Sequence, residues 1–119
     1  MWVRFIMEKI VEQGLLYDFY GELLTDHQKQ IYEAAVYNDM SLTEIADEHG
    51  ISKQGVHDLI KRCTKTLQGY EDKLHMIRRF EAIKSQAEEL KNASSRDLDL
   101  TELKKAALDI SNNILEELT

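Results

Sequence analysis

Polar and cationic side chains at residues 52–65 are of the types that contact nucleic acid. They belong to Ser52, Lys53, Gln54, His57, Lys61, Arg62 and Lys65. Gln bonds adenine through two atoms and Lys reaches guanine, so we expect Lys53 and Gln54 to contact bases or to anchor phosphates. The cations from residue 61 onward are suited to hold the phosphate backbone. His57 is expected to contact a base or a phosphate, or to face solvent only.

Catalytic and metal-binding chemistry has no comparable set of residues. Cys63 falls on the apolar side of the predicted helix, which favours a buried thiol over a nucleophile or a redox sensor. No Asp or Ser is spaced to form a triad with His57, and the four histidines do not match a zinc site. Asp97 and Asp99 are better explained by capping of a helix than by calcium binding. We therefore expect no enzymatic activity, no cofactor and no metal site.

The composition predicts a helical protein. The chain has 119 residues, no Pro and five Gly, which leaves few turn residues for a β-sandwich or a barrel. With one cysteine there is no internal disulfide framework, so a reducing cytoplasm is the simplest location. The apolar stretch at residues 1–6 is too short for a signal peptide or a spanning helix. We predict an all-α cytoplasmic protein without membrane insertion, and we assign residues 1–6 no function.

The charge distribution singles out one region of the chain. The net charge is −7 at pH 7, which argues against a protein that coats nucleic acid generally. Residues 52–84, however, carry eight basic and four acidic side chains, whereas residues 1–51 and 85–119 are acidic. The basic region starts where the predicted contact residues start.

Four positions carry signals for the start of a helix. Thr25, Ser41 and Asp99 each begin a capping box, in which the N-cap side chain and a Glu or Gln three residues later satisfy each other's backbone N–H groups. Ser52 is a fourth N-cap without that partner, because Gly55 stands three residues later. These signals predict helices that start just after each cap.

The stretch LTEIADEHGISKQGVHDL at residues 42–59 has the spacing of a helix-turn-helix. This motif needs a small residue where its two helices approach most closely and a turn residue that accepts a left-handed backbone. Ala46 and Gly50 supply these two features. The remaining buried positions fall on Leu42, Ile51, Val56 and Leu59. The pattern predicts that the helix after Ser52 directs its N-terminal half outward, the part that meets bases in this motif.

The text LLTDHQKQIYEAAVYNDMSLTEIADEHGISKQGVHDLIKRCTKTLQGYEDKL resembles region 4 of bacterial sigma factors. It is more similar to the YlxM family of small sigma-like helix-turn-helix proteins, over roughly residues 15–80. The resemblance implies a bacterial, cytoplasmic, non-enzymatic protein with an all-helical fold. Together with the predicted contact residues, it leads us to expect a transcription regulator that binds DNA, with RNA as an alternative. It also implies an association with the signal recognition particle pathway. Regions that melt promoters and clamp polymerase have no counterpart in the sequence, so promoter initiation by this chain alone is not expected.

A long amphipathic stretch follows the motif. Its apolar residues recur every three or four positions from Leu67 to Leu90, across Gly69, which is a candidate for a bend or a break. A polar linker at residues 92–99 then precedes a last helix.

We divide the chain into a helix-turn-helix domain at residues 1–70 and a C-terminal amphipathic extension at residues 71–119. We expect the extension to form a homodimer through the helices at residues 70–91 and 101–118. In the alternative, the motif is only a scaffold and the extension docks a protein of the signal recognition particle.

Two features support that alternative. Asp58 lies on the same outward face as the predicted contacts and repels phosphate, and the acidic remainder of the chain limits affinity. A helical hairpin can keep its shape without contacting nucleic acid.

We also expect the aromatic residues to pack between the first two helices and not to stack on bases; these are Tyr17, Phe19, Tyr20, Tyr32 and Tyr37.

Overall fold

The computed structural model describes the backbone of residues 2–119 and the side chains of residues 8–119. In this part of the chain every regular element is a helix, so the predicted all-α fold is confirmed. The elements are α1 (Trp2–Tyr20), a 3₁₀ helix (Gly21–Leu23), α2 (Asp26–Val36), α3 (Leu42–His49), α4 (Lys53–Leu74), α5 (Met76–Ser95) and α6 (Leu100–Leu118).

The predicted N-cap side chains accept backbone hydrogen bonds at the starts of their helices. The full capping box forms at Thr25, whose Oγ1 accepts from the Gln28 N–H at 3.3 Å while the Gln28 Oε1 accepts from the Thr25 N–H at 2.9 Å. At Ser41 the box is incomplete. The Ser41 Oγ accepts from the Glu44 N–H, but the Glu44 carboxylate accepts from the Ser41 hydroxyl and not from the Ser41 backbone N–H. Asp99 caps α6 by accepting from the Glu102 N–H at 2.8 Å, which is one of the two bonds of the predicted box. These three predicted helix starts are confirmed.

The chain divides into two compact units, Met1–His75 and Met76–Thr119. The division lies where α4 ends at His75, which has a left-handed backbone with φ 54°. The predicted break at Gly69 is wrong, because α4 continues through that residue without interruption. The division that we made after residue 70 therefore lies within α4.

The first unit has one hydrophobic cluster that joins α2, α3 and α4. It consists of Ile31, Ala34, Ile45, Ala46 and Val56. Ile31, Ile45 and Val56 are completely buried, and burial of such a side chain contributes roughly 1.5–3 kcal/mol. This cluster holds α3 and α4 in a fixed relation to each other.

The second unit is a hairpin of α5 and α6. Ala93 and Ile110 are buried in it, and the Asn113 amide donates to the Gln86 amide oxygen at 3.2 Å. The predicted linker at residues 92–99 is too long, because α5 continues to Ser95. The Ser hydroxyls in this last turn bond to carbonyls four residues earlier, which satisfies them inside the helix.

The side chains of residues 1–6, which we assigned no function, lie outside the part that the structure describes. Among the described residues, no helix has both the length and the apolar character needed to cross a bilayer.

Candidate nucleic-acid interface

The corner between α3 and α4 has the predicted left-handed turn. Gly50 ends α3 with φ 66° and ψ 32°. The Ala46 carbonyl accepts from the N–H groups of both Gly50 and Ile51, the second at 3.1 Å. A Cβ at Gly50 would meet no atom within 4 Å, so there is space for a side chain. Glycine is favoured here because the turn needs a positive φ.

The first turn of α4 is held by Ser52. Its Oγ accepts from the Gly55 N–H at 2.9 Å, which confirms the fourth predicted N-cap. A Cβ at Gly55 would lie 3.0 Å from that Oγ, so Gly55 leaves room for the capping hydroxyl. Lys53 is the first residue of α4, so it lies beside the positive end of the helix dipole. The first turn contains no acidic side chain that would offset this positive charge.

All of the predicted contact residues are exposed on a single element. Ser52 caps α4 and the other six belong to it: Lys53, Gln54, His57, Lys61, Arg62 and Lys65. Residues four apart follow one another along a helix, so positions 53, 57, 61 and 65 form one row. The buried residues of α4, Val56, Cys63 and Leu67, lie away from that row. The structure therefore brings the predicted residues together, and their role as nucleic-acid contacts stays a prediction.

Asp58 lies within this surface and engages two of the predicted contacts. Its Oδ1 accepts from the Gln54 amide at 2.9 Å and lies 3.7 Å from His57 Nδ1. The side chains of His57 and Asp58 are both more than half exposed. A base that binds Gln54 must compete with this hydrogen bond, and a nearby phosphate meets a negative charge.

A groove of about 890 Å³ lies beside the later cations of α4. Its lining includes His57, Lys61 and Lys65 of α4 and Lys9 of α1. Glu12 and Asp72 also line the groove and reduce its positive charge. Lys9 was not among the predicted contacts, because only the packing of α1 on α4 brings it to this groove, and no local spacing signals that packing.

A hydrogen-bond network around Thr64 ties α1 and α2 to α4. The Thr64 hydroxyl donates to the Ile60 carbonyl at 2.9 Å, so its oxygen accepts from Tyr32 at 3.0 Å and from Gln13 at 3.4 Å. Burial raises the pKa of Tyr32. The phenol thus keeps the proton that it donates, and the network fixes the middle of α4 on its inner side.

Cys63 is a buried thiol, as predicted, with 1% of its surface exposed. Burial raises its pKa, and the adjacent Arg62 opposes that rise. A protonated, buried thiol is a poor nucleophile. Among the described residues, no group of three or more His, Cys, Asp or Glu side chains is arranged to hold a metal ion.

The aromatic side chains pack between helices. Tyr17 stacks on Tyr32 with ring centroids 5.7 Å apart and meets Tyr37 edge-on at 5.5 Å. This confirms packing between α1 and α2. Tyr20 also reaches α4, where its ring lies 6.0 Å from that of Tyr70. The rings therefore pack against one another between helices, as predicted.

Comparison with known proteins identifies the family. The family model described as "Putative helix-turn-helix protein, YlxM / p13 like" (UPF0122) matches residues 7–107. The chain belongs to this family. The family description agrees with the corner at Gly50 and with the exposed start of α4.

Curated members of the YlxM / p13 family cover most of the chain. A UPF0122 protein of Listeria innocua is 37% identical over 109 residues, which span 92% of this chain and 99% of the relative. One from Acetivibrio thermocellus is 42% identical over 103 residues, 86% of this chain and 88% of the relative. One from Thermoanaerobacter sp. strain X514 is 46% identical over 77 residues, 65% of this chain and 66% of the relative's length, just under two thirds.

Proposed function

We propose that this protein is a cytoplasmic helix-turn-helix regulator that binds double-stranded DNA by inserting the start of α4 into the major groove. The observation that supports it is the exposed, polar and cationic N-terminal half of α4, held outward by the left-handed corner at Gly50. An α-helix fits the major groove of B-DNA. In this arrangement Lys53 and Gln54 contact bases, and RNA is the alternative ligand.

The later cations of α4 hold the DNA backbone. Lys61, Arg62 and Lys65 are exposed, and Lys9 lies at the same groove as two of them. Each neutralised phosphate makes the affinity more dependent on salt, by a slope of about 0.9 per contact. So few cations give one copy a weak affinity, and a homodimer doubles the number of phosphate contacts. We therefore propose that the protein acts as a homodimer.

The resemblance to the YlxM family supports a place for this regulator in the signal recognition particle pathway. A non-enzymatic role fits the buried, protonated thiol of Cys63 and the family's helix-turn-helix description. The cytoplasmic location is part of this proposal.

The experiment that tests DNA binding is an electrophoretic mobility shift with a duplex selected from random sequence. The Lys53→Glu and Lys61→Glu double variant should lose the shift, because phosphates would then meet negative charge at both positions. The control variant, Lys73→Glu with Arg96→Glu, has the same change in net charge at exposed positions outside the surface and should keep the shift. Equal binding by both variants would reject the proposal.

We propose as a second function that the C-terminal unit docks a protein component of the signal recognition particle. The observation that favours it is the exposure of four leucines on α6. A pull-down with the full chain and with a chain truncated after Leu90 tests this idea. Undiminished capture of the particle's proteins by the truncated chain would reject it.

A further inference from the structure

A hydrogen bond to Asp58, one turn later on α4, holds the Gln54 side chain. The Gln54 Nε2 donates to the Asp58 Oδ1 at 2.9 Å, and both residues are exposed. Side chains on a helix lean toward its N-terminus, so Asp58 reaches back over the turn that carries Gln54. Gln54 is the second residue of α4, in the part that meets base edges in a helix-turn-helix. The bond therefore acts on a predicted base contact.

The chemistry of Asp58 decides which end of the Gln54 amide faces it. A carboxylate only accepts hydrogen bonds, whereas an amide has a donor end and an acceptor end. The nitrogen of Gln54 must therefore point toward Asp58, because the opposite orientation would set two oxygens against each other. The amide oxygen consequently points away from Asp58, where it can accept from another partner.

The oxygen that Asp58 turns outward needs a donor once DNA excludes water from it. Adenine presents its N6 amino group in the major groove and cytosine its N4 amino group, so either base can donate to this oxygen. Guanine and thymine present acceptors there and leave the oxygen without a partner. To present its nitrogen in place of the oxygen, the amide must turn over, which breaks the bond to Asp58. The oriented amide of Gln54 therefore fits an amino-bearing base.

The same kind of pair recurs further along α4. The Gln68 Nε2 donates to the Asp72 Oδ1, also at 2.9 Å. A pair of this kind is weak on a solvated helix and strengthens where water is excluded. Gln68 lies about 21 Å beyond Gln54 along the helix axis, outside the N-terminal part that meets bases. The second pair therefore provides a matched control within the same helix.

We propose that Asp58 is a positioning residue that holds Gln54 as a hydrogen-bond acceptor and so selects adenine or cytosine at the position that Gln54 contacts. This inference rests on the proposed binding of duplex DNA, and it specifies one position of that duplex. The negative charge of Asp58 weakens binding to every duplex, while its bond to Gln54 sharpens the choice among them. Both effects can coexist, because specificity is a difference between affinities.

Selection of duplexes from a random pool by the full chain locates the position that Gln54 contacts. It is the position whose base preference disappears in Gln54→Ala. Fluorescence anisotropy then measures the affinity for four duplexes that differ only at that base pair. The wild type should bind the duplexes with adenine or cytosine on the contacted strand about fivefold more tightly than those with guanine or thymine. Asp58→Ala should reduce this ratio to below about twofold, because the amide can then turn over.

Two further variants serve as controls. Gln54→Glu with Asp58→Asn exchanges the pair without a change in net charge. It should keep the ratio, since a carboxylate at position 54 is also only an acceptor and the Asn amide can donate to it. Asp72→Ala removes the same charge and the same kind of bond from Gln68, and it should also keep the ratio. Far-ultraviolet circular dichroism should be unchanged in all of these variants, because the substituted side chains are exposed.

The outcomes separate the role of Asp58 from the proposed function. A wild type that selects no duplex would overturn both. If the wild type binds its selected duplex, three results would each overturn the role of Asp58 alone. These are a ratio that Asp58→Ala leaves unchanged, a preference for guanine or thymine at the Gln54 position, and loss of the ratio in the exchanged pair.

Discussion

Gly50 fixes the direction in which α4 leaves α3, through a backbone conformation that other residues adopt at a cost. Gly50→Ala should lower the free energy of unfolding by about 1–2 kcal/mol, because its φ is positive while the space around its Cα is open. Gly69→Ala is the matched control within α4. It should raise the free energy of unfolding by up to about 1 kcal/mol, because Ala favours a helix interior more than Gly does. Urea denaturation measures both changes. Stabilisation by Gly50→Ala would contradict the claim that the turn needs a left-handed backbone at Gly50.

The raised pKa of Cys63 predicts a loss of stability at alkaline pH. The folded protein holds the thiol proton more tightly than the unfolded chain does, because burial disfavours the thiolate. The resulting stability is fully present below the ordinary thiol pKa of about 8.5 and is lost as the pH rises above it. Thermal unfolding across this range should show a smaller decline for Cys63→Ala than for the wild type. The raised pKa of Tyr32 acts in the same direction, so part of the decline should remain.

At the scale of the element, α4 carries Asp58 among the proposed contact residues, where its negative charge opposes the proposed role. Asp58→Asn should raise the affinity for duplex DNA about three- to tenfold at low salt, because it removes a negative charge from the proposed interface. The gain should shrink as salt is added. Asp109→Asn on α6 makes the same change in charge outside that surface and should leave the affinity unchanged. Fluorescence anisotropy measures both, and equal gains would indicate a nonspecific effect of net charge.

The helix starts were predictable from the sequence because capping is local. Thr25, Ser41, Ser52 and Asp99 each bond to a backbone N–H three residues later, so short-range spacing was sufficient. The end of α4 was not predictable, because neither Gly nor Pro marks it and His75 carries the left-handed turn. Ser and Asn near residue 92 suggested a loop, yet hydroxyl bonds to the preceding turn allow α5 to continue.

At the scale of the whole molecule, the sequence predicted which residues of α4 are exposed, and packing between distant segments supplied the rest. Contacts that local spacing does not encode place Lys9 at the groove that Lys61 also lines, join Tyr32 to Thr64 and divide the chain at His75. The exposed leucines of α6 were not predictable for a related reason. An amphipathic pattern marks the apolar residues of α6, but only the hairpin determines which of them α5 covers.

The dependence of duplex binding on salt tests the central claim most directly, namely that the outward side of α4 is a DNA-contacting surface. On a selected duplex, the logarithm of the affinity should fall linearly with the logarithm of the salt concentration. Lys61→Ala should reduce that slope by about 1, whereas Gln54→Ala should keep the slope and relax the sequence preference. Absence of binding to any selected duplex, or a slope that Lys61→Ala leaves unchanged, would contradict the claim.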